Sequence, residues 1–133
     1  MRTVPTVAMV VVVWAFAVGA AADPTLSQQD RRGPVTVGIT LVPGEAGGPM
    51  RVQVVLDTHS VDLERIELRD AVVMRLGDGR DVPASGIEEA TGNGHHRRAT
   101  LVFPAPASGP VLVVVKNIGN VPERVFRWDA VGR

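Results

Sequence analysis

The residues of this chain best suited to chemistry are its three histidines. His95 and His96 are adjacent, after a glycine-rich turn and before an apolar run, and His59 directly follows another apolar run. Imidazole is the common protein ligand of zinc and copper, and three imidazoles, or two with a carboxylate, make a usable set of ligands. We therefore take His59, His95, His96 and Asp62 as candidate ligands of a copper or zinc ion.

A solvated turn is the competing interpretation of the same histidines. Adjacent residues on a regular strand face opposite ways. His95 and His96 can therefore hold one ion only if the backbone bends, which Gly92 and Gly94 would allow. The spacing matches no established zinc motif, which favours the solvated turn, with His59 hydrogen-bonded into its own loop. The sequence leaves both interpretations open.

Two arginines beside the histidines suggest a different ligand. Arg97 and Arg98 could together bind an anion. Alternatively they pair across the turn with Glu88 and Glu89, a surface contact worth about 0–1 kcal/mol. Pairing is the simpler expectation, so the sequence does not predict an anion site here.

A catalytic site has little support in the sequence. Asp57 and Asp62 could be a carboxylate pair for acid–base work, but Asp62 equally fits a cap for a short turn after Ser60. Ser60 and His59 are neighbours, and neighbours do not readily form the hydrogen bond between nucleophile and base. No Gly-x-Ser-x-Gly elbow surrounds Ser60 either. The sequence predicts a protein that is not an enzyme.

Composition excludes several further kinds of site. The chain has 133 residues, no cysteine and no tyrosine, with 14 basic and 14 acidic residues. The lack of cysteine excludes disulfides, thiolate zinc sites, cysteine nucleophiles and a lipoprotein anchor. The balanced charge gives no basic face for a nucleic acid. The partners that remain are a metal ion or an extracytoplasmic protein.

Residues 1–22 have the pattern of an export signal. Arg2 supplies the positive start, residues 7–18 are an unbroken apolar run, and residues 20–22 are three alanines before Asp23. The apolar run is shorter than the ~20 residues of a membrane span, so cleavage is favoured over a retained anchor. The sequence predicts a periplasmic or extracellular protein that contacts a membrane only if the leader, a signal helix, is kept.

Short alternating apolar runs predict the strands that position the histidines. Apolar residues at every second position, as in 35–41, have the period of a half-buried strand. Seven strand-like runs are separated by Gly and Pro turns, at 35–42, 51–58, 71–76, 80–83, 99–103, 111–116 and 124–128, and the run 111–116 is apolar on both faces. This pattern predicts an all-β, immunoglobulin-like antiparallel β-sandwich over 35–133, with a five-stranded barrel as the alternative.

The segments outside these runs carry weaker signals. Residues 23–34 are polar and without periodicity, so we expect a flexible lead-in. Residues 60–70 fit either a short helix or an irregular crossover. Residues 85–94 are expected to be mostly loop. In the last strand, Phe126 and Trp128 lie two residues apart and are expected to face the core.

Immunoglobulin-like topology would bring the histidines to one end of the molecule. The strands 51–58 and 99–103 are then antiparallel neighbours, so the end of the first lies beside the start of the second. The turn between the last two strands opens on the same rim. The residues expected at this rim are His59, Asp62, His95, His96, Asn120, Glu123 and Arg124.

Three short segments carry a resemblance to other proteins. They are Thr-His-Ser-Val-Asp-Leu at 58–63, Gly-His-His-Arg at 94–97 and Pro-Glu-Arg-Val-Phe-Arg-Trp at 122–128. These segments resemble those of a group of small exported prokaryotic β-sandwich proteins of unassigned function. The resemblance spans most of the exported domain. It implies that the histidines and the final strand belong to one design, and it implies no activity.

Overall fold

The computed structural model describes residues 26–129, and the expected export signal lies outside them. The strands are β1 Ser27–Asp30, β2 Val35–Val42, β3 Met50–Thr58, β4 Val72–Arg75, β5 Asp81–Pro83, β6 Gly86–Gly92, β7 His96–Phe103, β8 Val111–Ile118 and β9 Val121–Trp128. A 3-10 turn, Leu63–Arg65, and one short α-helix, α1 Leu68–Ala71, lie between β3 and β4. No helix in this part of the chain is long and apolar enough to cross a membrane.

The strands form two antiparallel sheets. The first sheet has the order β1-β2-β3-β7-β6, and the second has the order β5-β4-β8-β9. Every pairing within them is antiparallel. The protein is therefore all-β with two sheets, an architecture consistent with a β-sandwich, and the prediction of the fold class is confirmed at that level.

One hydrophobic core lies between the two sheets. The first sheet contributes every second residue of β2 and β3, and the second contributes Val113, Phe126 and Trp128. Phe103 from β7 is also fully buried, so all three large aromatic side chains of residues 26–129 lie in the core. Phe126 and Trp128 face inward as predicted. Burial of each large apolar side chain stabilises the fold by about 1.5–3 kcal/mol.

Two strands lie where the sequence predicted loose chain. β1 forms inside the expected lead-in, and β6 forms inside the expected loop 85–94. β1 is polar but pairs with β2 in a regular register, and the Ser27 Oγ lies 2.8 Å from the Thr40 Oγ1. β6 pairs with β7 around a bulge between Glu88 and Thr91. Both predictions were wrong because an edge strand exposes its polar side chains, so it lacks the alternation that reveals a buried strand.

The segment between the two sheets is ordered by a cap and by two buried leucines. The Asp62 Oδ1 accepts a hydrogen bond of 3.1 Å from the Glu64 backbone N–H, which satisfies a free donor at the start of the 3-10 turn. Leu63 and Leu68 are both buried against the core. The capping role that the sequence left open for Asp62 is confirmed, and residues 60–70 contain both a short helix and irregular chain.

Four charged side chains form an ion-pair network on the outer face of the second sheet. The Arg75 guanidinium donates to Asp81 at 2.8 Å and to Glu123 at 2.9 Å, and Lys116 donates to Asp81 as well. The hydrogen bonds from Arg75 and Lys116 lower the pKa of Asp81 from 3.8 to about 2. The network links all four strands of the sheet, since each residue comes from a different strand.

Acid is expected to weaken the fold through Asp81. Its pKa is lower in the folded protein than in the unfolded chain, so its stabilising contribution is fully present above about pH 4. That contribution is lost as the pH falls through the folded pKa of about 2. Denaturant unfolding of the wild type and of Asp81→Asn, measured from pH 7 to pH 2, checks this. The wild type should be the more stable at pH 7, and the difference should shrink towards pH 2. A constant difference would show that Asp81 does not act through its charge.

Candidate functional site: the histidine rim

The end of β3 lies beside the start of β7, which places the candidate ligands at one end of the molecule. Asp57 is opposite His96 in the antiparallel register, and the Thr58 backbone N–H donates to the His95 carbonyl at 3.0 Å. His59 is the next residue along the chain. We call Asp57, His59, Asp62, His95 and His96 the histidine rim. The prediction that His59 shares a rim with the other two histidines is confirmed by this pairing.

The side chains of Asp57 and His96 contact each other directly at the rim. The Asp57 Oδ1 lies against the His96 Nδ1, and both side chains are about half exposed, at 52% and 53%. A carboxylate on one ring nitrogen orients the imidazole and selects the tautomer with its proton on that nitrogen. The neutral ring then carries a free lone pair on Nε2, which is the arrangement that supports many metal-binding histidines.

The turn before His96 is built around glycine and asparagine. The Asn93 Oδ1 accepts hydrogen bonds from the backbone N–H groups of His95, at 2.9 Å, and His96, at 3.1 Å. Gly92 has φ +112°, and a Cβ there would lie only 2.0 Å from the His96 carbonyl oxygen. The turn thus depends on a residue without a side chain at 92, where the backbone bends as the sequence suggested.

A network of hydrogen bonds ties the loop 58–66 to the turn before His96. The Leu63 backbone N–H donates to the Gly94 carbonyl at 2.9 Å. The Arg97 Nη1 donates to the carbonyls of Leu63, at 2.7 Å, and Ile66, at 2.8 Å. Arg97 is half-buried and binds two backbone carbonyls: that of Leu63 also accepts from the Ile66 N–H, and that of Ile66 has Arg97 as its donor. The rim is therefore a defined piece of structure.

The expected pairing of Arg97 and Arg98 with the two glutamates was wrong. Glu88 instead accepts from the Arg51 Nε at 3.1 Å. The register explains this, because Glu88 lies opposite Thr100, two residues beyond Arg98 along β7. The bulge that follows it shifts the register before Arg98 is reached.

Three candidate ligands share the rim with His96 but do not converge on one point. Within residues 26–129, no group of three or more His, Asp or Glu side chains is arranged to hold a metal ion. His59 and His95 are exposed. Asp62 caps the 3-10 turn and lies 3.3 Å from the Arg65 Nε. The structure brings His96 together with Asp57, a partner that the sequence had considered only as a carboxylate beside Asp62.

Three further residues expected at the rim have other surroundings. Glu123 belongs to the ion-pair network of the second sheet. Arg124 is fully buried and donates to Asp30 at 3.1 Å and to the Ile118 carbonyl at 2.9 Å. Asn120 lies in the turn before β9 with φ +60°. Alternation along β9 is the reason, since it turns Glu123 outward and Arg124 into the core.

Comparison with known proteins finds no match. The sequence matches no protein-family model and no curated protein, and no solved structure matches the chain. The resemblance to small exported prokaryotic proteins therefore stays a prediction.

Proposed function

We propose that this chain is an exported, non-catalytic binding domain of immunoglobulin-like topology, whose ligand contacts the histidine rim. The leader pattern of residues 1–22 supports export. The strand orders β2-β3-β7-β6 and β5-β4-β8-β9 support the topology, because they correspond to the two sheets of an immunoglobulin-like sandwich. The rim supports binding because it gathers exposed imidazoles beside a carboxylate.

A copper or zinc ion is the ligand that we propose for the rim. The observation that carries this is the contact between Asp57 and the His96 Nδ1, since it leaves Nε2 for a metal. His59 and His95 are exposed and would supply further imidazoles by rotating their side chains. Ordering each side chain opposes binding by about 0.5–1.5 kcal/mol. We therefore expect weaker binding than at a site whose ligands already converge.

The second candidate is a protein-interaction module without a metal. It is favoured by the finding that no three-ligand group is assembled within residues 26–129. The last strand, β9, also forms an edge of the second sheet, and its Val125 side chain is 52% exposed. Such an edge can pair with an extended segment of another protein, which here would replace the side chains of Gln28 and Arg32 that donate to the Arg127 and Glu123 carbonyls. The two candidates differ in one respect that is simple to measure, which is metal binding.

Titration of the purified protein with Cu²⁺ or Zn²⁺ is expected to show binding that depends on the rim. His96→Ala should abolish it, and His59→Ala should weaken it by removal of one imidazole. Asp57→Asn should weaken binding about 10- to 100-fold, because it removes the carboxylate that orients the ring. Binding should also weaken in acid, since a protonated imidazole cannot be a ligand. Calorimetry gives the affinities.

Asp70→Asn is the matched control for Asp57→Asn, because Asp70 is an exposed carboxylate on α1 outside the rim. Equal affinity of the wild type and His59→Ala would remove His59 from the site. Absence of binding by the wild type would overturn the metal proposal and leave the protein-interaction module.

A further inference from the structure

The outer face of the second sheet contains two valines that are buried outside the core. Met74 of β4 lies in the core, so its neighbour Val73 faces outward by alternation. Val114 of β8 faces outward in the same way, because Val113 lies in the core. Yet Val73 is only 7% exposed and Val114 is 0% exposed, and neither belongs to the core between the sheets. Other side chains of the outer face must therefore cover them.

The register places the two valines in an apolar row across the sheet. Val73 lies opposite Pro83 of β5 on one side and opposite Val114 of β8 on the other. Val114 in turn lies opposite Val125 of β9. Neighbouring strands are about 4.8 Å apart, so the row is roughly 14 Å long. Its two ends, Pro83 and Val125, are exposed, so only the middle of the apolar row is covered.

One ion pair of the network on this face crosses the apolar row at Val114. Arg75 of β4 is opposite Leu112 of β8, two residues before Val114. Glu123 of β9 is opposite Lys116 of β8, two residues after Val114. The Arg75 Nη2 nevertheless donates to the Glu123 Oε1 at 2.9 Å. Since β8 lies between β4 and β9, this ion pair passes over Val114.

A second ion pair of the network crosses the apolar row at Val73. Lys116 lies on one side of the row, and Asp81 of β5 lies on the other side, opposite Arg75. Because β4 lies between β5 and β8, the contact from Lys116 to Asp81 passes over Val73. Arg75 also donates to Asp81 at 2.8 Å, which joins the two ion pairs. The methylene stems of long basic side chains can cover apolar surface while their charges stay in water, so the network covers both valines.

Only side-chain contacts hold this cover in place. The four charged side chains of the network are 24–45% exposed, so water and salt reach the ion pairs. Ion pairs between such groups are weak and are screened by salt. Withdrawal of the cover would leave the core intact, because the two valines lie outside it. It would also leave the backbone pairing of β4 with β8 unchanged.

We propose that the ion-pair network is a lid, which is closed in this structure and opens within the folded domain. Opening moves the two basic side chains off the apolar row and exposes Val73 and Val114. The face then presents four apolar residues side by side. Exposure of this surface depends on charge, because any change that weakens the ion pairs favours the open lid. The proposal does not depend on the histidine rim, which belongs to the first sheet.

The reactivity of a thiol at position 114 tests the proposal, because the chain has no cysteine of its own. Val114→Cys on the outer face and Val113→Cys in the core are each treated with iodoacetamide, an uncharged reagent, under native conditions. Both positions are 0% exposed in the closed protein. Global unfolding is needed to expose position 113, whereas opening of the lid exposes position 114. We therefore expect position 114 to react on the order of tenfold faster or more.

The rates are divided by those of the same variants unfolded in urea, which removes differences in intrinsic reactivity. Circular dichroism shows whether each variant is folded. If Val113→Cys does not fold, Val115→Cys replaces it, since Val115 is also a core residue at 0% exposure. Equal rates at the core position and at position 114 would overturn the proposal, because Val114 would then be exposed only by global unfolding.

Glu123→Gln, made together with Val114→Cys, should speed the reaction at position 114 about two- to fivefold, the effect of one partly exposed ion pair. Glu88→Gln is the matched control. The Glu88 side chain is 46% exposed against 45% for Glu123, and it also pairs with an arginine, but on the first sheet. Its loss weakens the whole fold without opening the lid, so the rate at position 114 should not change. Equal acceleration by the two glutamine variants would contradict the lid.

Discussion

Replacement of Arg124 by alanine is expected to lower the free energy of unfolding by about 3–5 kcal/mol. The side chain is fully buried, at 0% exposure, and its Nη1 donates to the Asp30 Oδ1 at 3.1 Å. Its Nη2 donates to the Ile118 carbonyl at 2.9 Å. Removal of Arg124 takes the buried guanidinium from Asp30, which keeps Arg32 as its other partner, and leaves the Ile118 carbonyl without this donor. It also opens a cavity in the core, so both effects destabilise the fold.

Arg124 joins parts of the chain that are distant in sequence. Asp30 ends β1 in the first sheet, whereas Ile118 ends β8 in the second. The pKa of Asp30 is lowered to about 2, mainly by hydrogen bonds from Arg32. The positive charge of Arg124 is a further cause of this lowering. Asp30 therefore stays ionised at neutral pH, so its pairing with the buried guanidinium is maintained there. The pair holds the edges of the two sheets together.

Urea unfolding at pH 7 measures this effect. Arg127→Ala is the matched control, since Arg127 is an exposed arginine on the same strand and should change stability by no more than about 0.5 kcal/mol. Arg124→Met keeps much of the side-chain volume and removes the charge, so it separates packing from pairing. A loss below about 1 kcal/mol for Arg124→Ala would show that the buried pair does not stabilise the fold.

Replacement of Trp128 by alanine is expected to lower the free energy of unfolding by about 3–5 kcal/mol as well. Trp128 is 5% exposed and lies opposite Val111 at the end of β9. Deletion of a buried aromatic ring loses its transfer free energy and leaves a cavity that the surrounding side chains fill only in part. A domain of this size has a total stability of about 5–15 kcal/mol, so this change removes a large share.

Thermal and urea unfolding followed by far-ultraviolet circular dichroism measures the loss, because the signal does not depend on the removed tryptophan. Val125→Ala on the same strand is the control. Its side chain is 52% exposed, so its truncation should have a small effect. Trp128→Phe should retain most of the stability, since it keeps an aromatic ring in the core. A similar loss for Trp128→Ala and Val125→Ala would contradict the inward packing of this strand.

The parts of the fold that the sequence predicted well are those with a buried face. β2 and β3 were predicted from their apolar alternation, and both bury every second residue in the structure. β9 was predicted to turn Phe126 and Trp128 inward, and it does. The prediction of these strands succeeds because the buried face of a strand needs an apolar side chain at every second residue. The shared rim of His59 with His95 and His96 followed from the pairing of two such strands.

The polar parts of the structure were decided by tertiary contacts. β1 and β6 are edge strands whose pairing with β2 and β7 depends on backbone hydrogen bonds, and no apolar period marks them in the sequence. The sequence placed Arg124 with the rim, but the alternation of β9 buries it, and burial is tolerated because Asp30 arrives from the other sheet. Asp57 meets His96 because the register of β3 and β7 aligns them. The position of a polar side chain in the sequence does not indicate which residue it will contact. That partner is decided only when the strands pair and the sheets pack.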